Sequence, residues 1–334
     1  MKLFKTKILG TGKYHPEKII TNEDISKMVE TTNEWIIQRT GIKERRIADI
    51  SKGETASGMS EHASRMALKN AELEPNDIDF ILSSVTIADT LFPNMSSCLQ
   101  AKLGITNKCG VLDVNSACTG WVSALTLANG LIQTGVYKKI LLTGTEMASS
   151  FNNWEDRNTC ILFGDGAGAV VLGRCEEEEK GSEIIDSIIS CDGTKGESLI
   201  MRKGGSMYPI TKEILEKREQ FMEMDGPVVF KSAVKTMSSH ALTLLKRNNM
   251  TIDDVDWYIP HQANLRIIET TGQLLKCPPE KVIVNVENYA NTSSASIPVA
   301  LNEAIEEGKV KRGQVLLFTA FGSGLTSAAT LLRY

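Results

Sequence analysis

The chain has 334 residues, of which 42% are hydrophobic and 23% charged, a composition typical of a globular protein with a substantial core. Its 37 basic and 41 acidic residues are spread along the chain and give a net charge of −4, so we expect no nucleic-acid partner. The sequence contains neither a secretory signal pattern nor the roughly 18 consecutive apolar residues of a membrane span. It therefore predicts a cytoplasmic protein that does not bind membranes.

The first half of the chain alternates apolar runs with helical patterns. Strands are expected within three runs, DFILSSVTIAD, GVLDVNSAC and KKILLTGTEMAS, which begin at Asp79, Gly110 and Lys138. Helices are predicted from about Ser96 to Leu103 and from about Thr119 to Thr134. This alternation favours an α/β fold whose central strands are buried on both faces.

A charged run near the middle of the chain, RCEEEEKGSE, separates two apolar strand-like segments, AGAVVLG and IIDSIIS. Such a run is typical of a surface connection. We therefore predict two halves, residues 1–174 and residues 175–334.

The second half repeats the first. Three pairs of segments match in the same order: DFILSSVTIAD with DWYIPHQAN (displacement 177), VNSACT with VENYANT (173, Cys118 to Asn291) and ILLTGTE with VLLFTAF (175). Displacements this similar indicate a duplicated βα unit. We therefore expect Cys118 and Asn291 to occupy equivalent strand-to-helix turns, related by a pseudo-two-fold axis.

Cys118 is a candidate nucleophile. The seven cysteines are scattered without C-x-x-C or zinc-site spacing, so no metal site is expected and most of them are predicted to be small buried side chains. At the start of a helix, free backbone N–H groups and the helix dipole favour a thiolate, and the small neighbours of Cys118 leave room for an electrophile. The alternative is that these small residues only allow the helix and strand to pack closely.

Two polar residues are candidate partners of Cys118. His261, one of four histidines, follows a strand that ends in proline and precedes a helix, where open α/β folds place ligands. His62 is predicted to be a surface residue and His240 a packing residue. Asn291 either caps its helix or supplies a second neutral hydrogen-bond donor beside the nucleophile.

Two glycine-rich segments have different interpretations. FGDGAGAVVLG (163–173) lacks the G-x-G-x-x-G spacing, so no dinucleotide cofactor is expected, and tight turns and close backbone approach explain its glycines. The terminal FGSGLTSAATLLRY places Gly322, Ser323 and Gly324 at a strand end. Backbone N–H groups there either stabilise an oxyanion or belong to a plain turn.

Nearly the whole chain resembles the 3-oxoacyl-[acyl-carrier-protein] synthase III (ketoacyl synthase III) family of thiolase-fold condensing enzymes. The resemblance lies in TNEWIIQRTGIKERRIA, DVNSACTGW, DRNTCILFGDGAGAVVL, IPHQANLRII, NTSSASIP and the terminal FGSG. It implies an α/β thiolase-like fold, in which duplicated βα halves form a five-layered α-β-α-β-α core.

The resemblance also implies a reaction: a decarboxylative Claisen condensation that starts fatty-acid chains from an acyl-CoA and malonyl-acyl carrier protein, without a cofactor. Cys118 then accepts the acyl group, and His261 and Asn291 promote decarboxylation and stabilise the enolate. The backbone N–H groups of Cys118 and Gly324 form the oxyanion hole for the acyl carbonyl.

Other positions match residues that hold substrates or partners in the family. Trp35, Arg39 and Arg157 match the residues that bind the adenine and phosphates of CoA. Phe92 matches a residue that crosses a homodimer interface and limits the partner's acyl pocket.

Lys231 and Arg266 match basic residues that dock the acidic carrier protein. Position 273 is Gln where some relatives have a further lysine, which bears on the strength of that docking.

Several alternatives remain. The segment GLTSAA, where many members read GFTWG, and the stretch ASSFNNWEDRNT depart from the family pattern and bear on the primer accepted, so a ketosynthase or acyltransferase of a specialised-metabolite pathway stays open. A thiolase needs a cysteine in the terminal glycine loop, and an elongating synthase needs histidine at Asn291. A Cys-His-Asn hydrolase and a non-catalytic acyl-binding homologue are further alternatives, both disfavoured.

Overall fold

A computed structural model describes residues 3–175 and 182–334 of the chain. The strands are β1 (Thr6–Tyr14), β2 (Ile19–Thr21), β3 (Glu44–Arg46), β4 (Phe80–Ser84), β5 (Gly110–Val114), β6 (Lys139–Met147), β7 (Asp165–Arg174), β8 (Glu183–Cys191), β9 (Leu199–Ile200), β10 (Glu223–Met224), β11 (Trp257–Pro260), β12 (Val315–Gly322) and β13 (Thr326–Arg333). The α-helices are α1 (Asn22–Ser26), α2 (Asn33–Thr40), α3 (Ala56–Asn70), α4 (Met95–Leu103), α5 (Gly120–Gln133), α6 (Arg157–Cys160), α7 (Lys212–Glu216), α8 (Gly226–Arg247), α9 (Leu265–Leu275), α10 (Val286–Tyr289) and α11 (Ser296–Glu306).

Two large mixed sheets carry the fold. The first has the strand order β1-β7-β6-β4-β5, and the second has the order β11-β12-β13-β8. The predicted helices near residues 96–103 and 119–134 are confirmed as α4 and α5. Every residue of β4 is buried, as expected for a central strand. β5 is not a central strand: it lies at the sheet edge and leaves Leu112 49% exposed.

The helices and sheets form five layers. Apolar side chains of α5 and α11 fill the space between the two sheets and make the largest core cluster. Helices α3 and α4 cover the outer face of the first sheet, and α8 and α9 cover the outer face of the second. The predicted α-β-α-β-α arrangement is confirmed, since each sheet buries both of its faces against helices.

The duplication is visible in strand order and direction. Strands β1, β7, β6 and β4 correspond to β8, β13, β12 and β11, with the same antiparallel, antiparallel and parallel pairings. The same hydrogen bonds recur at the strand starts. The carboxylate of Asp79 accepts the backbone N–H of Lys139 at 2.9 Å, and the carboxylate of Asp256 accepts that of Val315 at 2.7 Å.

The backbone corrects the predicted equivalence of Cys118 and Asn291. Short 3-10 turns, Ala117–Thr119 and Ser293–Ala295, directly precede α5 and α11. Their first residues both have a positive φ, 45° at Ala117 and 50° at Ser293. Cys118 is therefore equivalent to Ser294, and Asn291 lies three residues earlier, because the turn geometry and not the match of letters sets the alignment.

The glycines of FGDGAGAVVLG also differ from expectation. Gly166 and Gly168 lie inside β7 and not in a turn before it. Close approach does explain Gly168, since a Cβ there would lie 2.7 Å from a side-chain carbon of Pro298 on α11. The predicted boundary between residues 174 and 175 stays a prediction, and residues 176–181 of its charged run lie outside the described residues.

Candidate active site

Cys118 lies in the turn at the start of α5, close to the corresponding turn of the other half. The hydroxyl of Ser293 donates a hydrogen bond to its sulfur at 3.4 Å. Gly322, at the end of β12, allows this packing, because a Cβ there would lie 3.0 Å from the backbone nitrogen of Cys118. Three chain segments that are distant in sequence thus enclose the thiol.

The protonation state of Cys118 differs from the sequence-based expectation of a thiolate. Burial and, to a smaller extent, the nearby carboxyl of Glu146 raise the pKa of the thiol to about 11. The hydrogen bond from Ser293 acts in the opposite direction but does not compensate. In the protein without ligand the thiol is therefore protonated at neutral pH, and a bond to this sulfur requires an acceptor for its proton.

His261 follows β11 as predicted and is 3% exposed. Its Nδ1 lies 2.6 Å from the Ser296 hydroxyl, the first residue of α11. That oxygen also accepts the backbone N–H of Gln262 at 3.3 Å, so we assign the Ser296 hydroxyl as the donor to Nδ1. In this tautomer the imidazole carries its proton on Nε2. Burial lowers the pKa of His261 to about 4, which keeps the imidazole neutral.

Asn291 is 7% exposed and precedes the second turn. Its Oδ1 accepts the backbone N–H of Ser293 at 2.8 Å, so its Nδ2 amide is left to donate elsewhere. It does not cap α11, because it lies outside that helix by more than a turn. His261 and Asn291 therefore both supply neutral N–H donors.

One cavity of about 960 Å³ brings Cys118, His261 and Asn291 together. Most of its remaining lining is apolar and includes Met222, Met237 and Phe321, which suits an aliphatic chain. Within the part of the chain that the structure describes, no group of three His, Cys, Asp or Glu side chains is arranged to hold a metal ion.

The predicted CoA-binding residues form a cluster on α2 and α6. The guanidinium groups of Arg39 and Arg157 lie 4.5 Å and 4.7 Å from the centre of the Trp35 ring. Trp35 and Arg39 line the cavity, and Arg157 lies next to the lining residue Asn158. An aromatic ring flanked by two cations offers stacking and charge to a nucleotide.

The predicted docking residues lie on neighbouring helices at the cavity. Arg266, on α9, is exposed, lines the cavity and lies 5.5 Å from the ring centre of Phe230. Lys231 and Gln273 are also exposed, on α8 and α9. Phe92 is 85% exposed in this single chain.

Gly324 lies in the turn between β12 and β13 with φ 104°, a conformation that favours glycine. Its neighbour Ser323 lines the cavity, whereas Gly324 is not among the lining residues. Of the two glycines, Gly322 is the one at which a Cβ would contact the Cys118 turn. The oxyanion role of Gly324 stays a prediction.

Several polar residues around the site were not predicted from the sequence. Ser293 and Ser296 hold the three main side chains, and Glu146 and Thr86 form a hydrogen-bonded pair at the ends of β6 and β4. A signal existed for Glu146, since it is the charged residue in the buried part of its strand. The serines carried no such signal, because NTSSASIP also reads as an ordinary helix start.

The duplicated two-sheet fold, with a cysteine at the start of a buried central helix, defines a thiolase-fold protein. Two family models match the chain, 3-oxoacyl-[acyl-carrier-protein] synthase III over residues 112–193 and its C-terminal region over residues 245–334. A β-ketoacyl-[acyl-carrier-protein] synthase III of Caldanaerobacter subterraneus subsp. tengcongensis is 46% identical, over 98% of this chain and 97% of that one.

Solved structures agree. The 3-oxoacyl-[acyl-carrier-protein] synthase III of Aquifex aeolicus is 41% identical and superimposes with a TM-score of 0.90, over 98% of this chain and 100% of that one. The priming β-ketosynthase of the R1128 polyketide pathway is 34% identical with a TM-score of 0.90, over 99% and 97%. The chain belongs to the 3-oxoacyl-[acyl-carrier-protein] synthase III family of enzymes. None of the helices described within residues 3–175 and 182–334 has the length and apolar character of a membrane span.

Proposed function

We propose that the protein catalyses the initiating condensation of fatty-acid synthesis. An acyl-CoA primer transfers its acyl group to Cys118, and malonyl-acyl carrier protein then loses CO2 and attacks the acyl-enzyme. The products are 3-oxoacyl-acyl carrier protein, CoA and CO2. The observation that carries this proposal is the convergence of Cys118, His261 and Asn291 on one apolar cavity.

In the first half-reaction, the sulfur of Cys118 attacks the thioester carbonyl and CoA leaves. Trp35, Arg39 and Arg157 hold the nucleotide end of CoA, so that the acyl end reaches the buried thiol. The developing oxyanion is bound by the backbone N–H groups of Cys118 and Gly324. A preorganised donor of this kind is worth about 3 kcal/mol in related chemistry.

In the second half-reaction, malonyl decarboxylation leaves an enolate oxygen that needs hydrogen-bond donors. The Nε2–H of His261 and the Nδ2 amide of Asn291 are oriented for that role by Ser296 and by the backbone of Ser293. Neutral donors fit this step, because they stabilise the enolate without giving up a proton to its carbon. The enolate carbon then attacks the acyl group on Cys118, and the thiolate leaves.

The partners follow from these steps. Lys231 and Arg266 present positive charge at the cavity to an acidic acyl carrier protein. Leu91 and Phe92, which are 97% and 85% exposed, supply apolar surface for a homodimer contact beside the acyl pocket. We propose that the protein acts in the cytoplasm.

A second candidate function is the priming of a specialised-metabolite pathway by the same chemistry. It is supported by the similarity to a priming β-ketosynthase from polyketide synthesis and by the unusual GLTSAA segment. The two functions differ in primer and pathway but share the acyl-Cys118 intermediate.

Incubation with a panel of acyl-CoAs, from acetyl to branched and medium chains, tests the proposal. Intact mass spectrometry should find one acyl group on Cys118, and addition of malonyl-acyl carrier protein should release it as 3-oxoacyl product. The Cys118→Ser variant should show no thioester adduct. Undiminished labelling of that variant, or absence of any adduct on the unmodified protein, contradicts the proposal.

A further inference from the structure

Glu146 is a buried carboxyl group that the mechanism above leaves without a role. It is 0% exposed near the end of β6 and is the charged residue within the buried part of that strand. Oε2 accepts the Thr86 hydroxyl at 2.6 Å, whereas Oε1 makes no hydrogen bond of normal geometry to a described residue. The Ser293 hydroxyl and the backbone N–H groups of Thr86 and Ile87 lie near the carboxyl and lower its pKa, but burial outweighs them. A fully buried and incompletely hydrogen-bonded carboxyl group costs free energy, which points to a functional reason for Glu146.

Ser293 connects this carboxyl group to the thiol. Its hydroxyl donates to the sulfur of Cys118 at 3.4 Å, and it also lies close enough to Glu146 to lower the pKa of that carboxyl. A serine hydroxyl has one proton and can donate to only one of these acceptors at a time. The backbone of Ser293 is fixed by its bond to Asn291, so a side-chain rotation is enough to choose between them.

We propose that Glu146, acting through the Ser293 hydroxyl, accepts and stores the proton of the Cys118 thiol while the sulfur carries an acyl group. This proposal rests on the proposed function. Glu146 does not touch substrate; it sets the protonation state of the residue that does.

The proton transfers balance. When the sulfur bonds to the acyl carbon, the S–H proton passes to Ser293 and the Ser293 proton passes to Oε1 of Glu146. CoA leaves as a thiolate and takes a proton from solvent. After the enolate attack, the carbon–sulfur bond breaks, and the Cys118 thiolate regains its proton from Glu146 by the reverse path. One proton is consumed overall, as conversion of a malonyl carboxylate to CO2 requires.

The alternative acceptor, His261, is less suited to hold this proton. Burial lowers its pKa to about 4, whereas burial raises the pKa of Glu146 to about 7. A group that titrates near the working pH both takes and returns a proton readily. A protonated Glu146 also removes a buried negative charge before the malonyl carboxylate enters the cavity, which lowers the repulsion between two anions.

Two other titratable side chains lie near Glu146, and neither is placed to exchange a proton with Cys118. Asp165, on the neighbouring strand β7, is bound by the hydroxyl and backbone N–H of Ser149. His15 lies beside Gly166, the cross-strand partner of Glu146, and burial lowers its pKa to about 3, which keeps it neutral. A change at Glu146 should therefore be detected in the reactivity of the Cys118 thiol.

The test uses iodoacetamide as a small electrophile, so it does not depend on the natural primer. Alkylation of Cys118 is followed between pH 5.5 and about 10 by peptide mass spectrometry, with the exposed Cys191 of the same molecule as an internal reference. In the unmodified protein, the Cys118 rate should rise through an inflection near pH 7, where Glu146 titrates.

Glu146→Gln and Ser293→Ala should each remove that inflection and lower the Cys118 rate at pH 7.5 by about 10-fold or more. Cys191 should be unaffected. Ser294→Ala is the matched control, because the Ser294 hydroxyl bonds to the carbonyls of Ser84 and Thr145 and not to the sulfur.

A purely electrostatic role of Glu146 gives the opposite result. Loss of its charge would lower the pKa of Cys118 and make alkylation of Glu146→Gln faster at pH 7.5. A faster or unchanged rate therefore overturns the proposal. If Glu146→Gln does not fold, the pH profile of Ser293→Ala decides, because a lower rate alone also follows from loss of the hydrogen bond to the sulfur. An inflection near pH 7 that persists in Ser293→Ala overturns the proposal. Failure of every acyl-CoA to label Cys118, with the expected alkylation profile intact, refutes the proposed function and leaves the proton store in place.

Discussion

The Nδ1 atom of His261 lies 2.6 Å from the hydroxyl of Ser296, and this contact joins the end of β11 to the start of α11. It fixes the ring orientation and directs Nε2 to the remaining space of the site. A histidine held in this way and kept neutral by burial acts as a hydrogen-bond donor and not as a permanent cation.

This arrangement predicts that the two half-reactions separate in variants of the donor pair. His261→Ala and Asn291→Ala should still form acyl-Cys118, but should lose decarboxylative condensation by about 100-fold or more, because each removes a donor to the enolate oxygen. Intact mass spectrometry measures acylation, and release of CO2 from malonyl-acyl carrier protein measures condensation. Equal loss of both activities would contradict this division of roles.

The cluster around Trp35 predicts a defect in CoA binding alone. Trp35→Ala removes the stacking surface between Arg39 and Arg157, and base stacking on an aromatic ring is worth about 1–3 kcal/mol. We expect the KM for acyl-CoA to rise by about 10-fold, with little change in the maximal rate of acylation. A pantetheine thioester of the same acyl group, which has no adenine, is the matched substrate and should react equally with both proteins.

Charge reversal on α8 and α9 should weaken only the binding of the acyl carrier protein. Lys231→Glu and Arg266→Glu remove positive charge at the cavity, and we expect the KM for malonyl-acyl carrier protein to rise by about 5-fold to 50-fold, more at low salt than at high salt. Lys311→Glu, an exposed lysine in the loop before β12, is the control. An equal effect of Lys311→Glu would show that net charge and not a docking surface is responsible.

The buried His261 predicts a dependence of stability on pH. Its pKa in the folded protein is about 4, below its ordinary value of 6.5, so the unfolded chain binds more protons between these values. This contribution destabilises the fold at acid pH, and the loss disappears as pH rises from 4 to 6.5. Glu146 acts in the opposite direction, because burial raises its pKa to about 7.

Comparison with His261→Gln isolates the contribution of His261 to the pH dependence of the free energy of unfolding. The free energy of unfolding of the unmodified protein should gain up to about 3 kcal/mol more than that of the variant between pH 4 and 6.5. Denaturant unfolding at each pH measures the free energy of unfolding of the unmodified protein and of the variant. Parallel curves would mean that folding does not lower the pKa of His261.

Much of the fold was predictable because it depends on local patterns. Helices α4 and α5 follow from apolar periodicity, and the two equivalent sheets follow from similar segments about 175 residues apart. The exposure of β5 was not predictable, since an apolar strand reads the same at a sheet edge and at its centre until the neighbours are known.

Some features of the candidate site were likewise predictable from the sequence, and others depend on the tertiary structure. The sequence by itself determined the nucleophile candidate, the histidine at a strand end and the family, because each depends on residues contiguous in the chain. Only the tertiary structure decided that Ser293 faces Cys118, that Ser296 holds His261, and that Cys118 is buried enough to stay protonated. Desolvation and hydrogen bonding depend on atoms from distant segments, and the spacing of residues along one chain does not encode those distances.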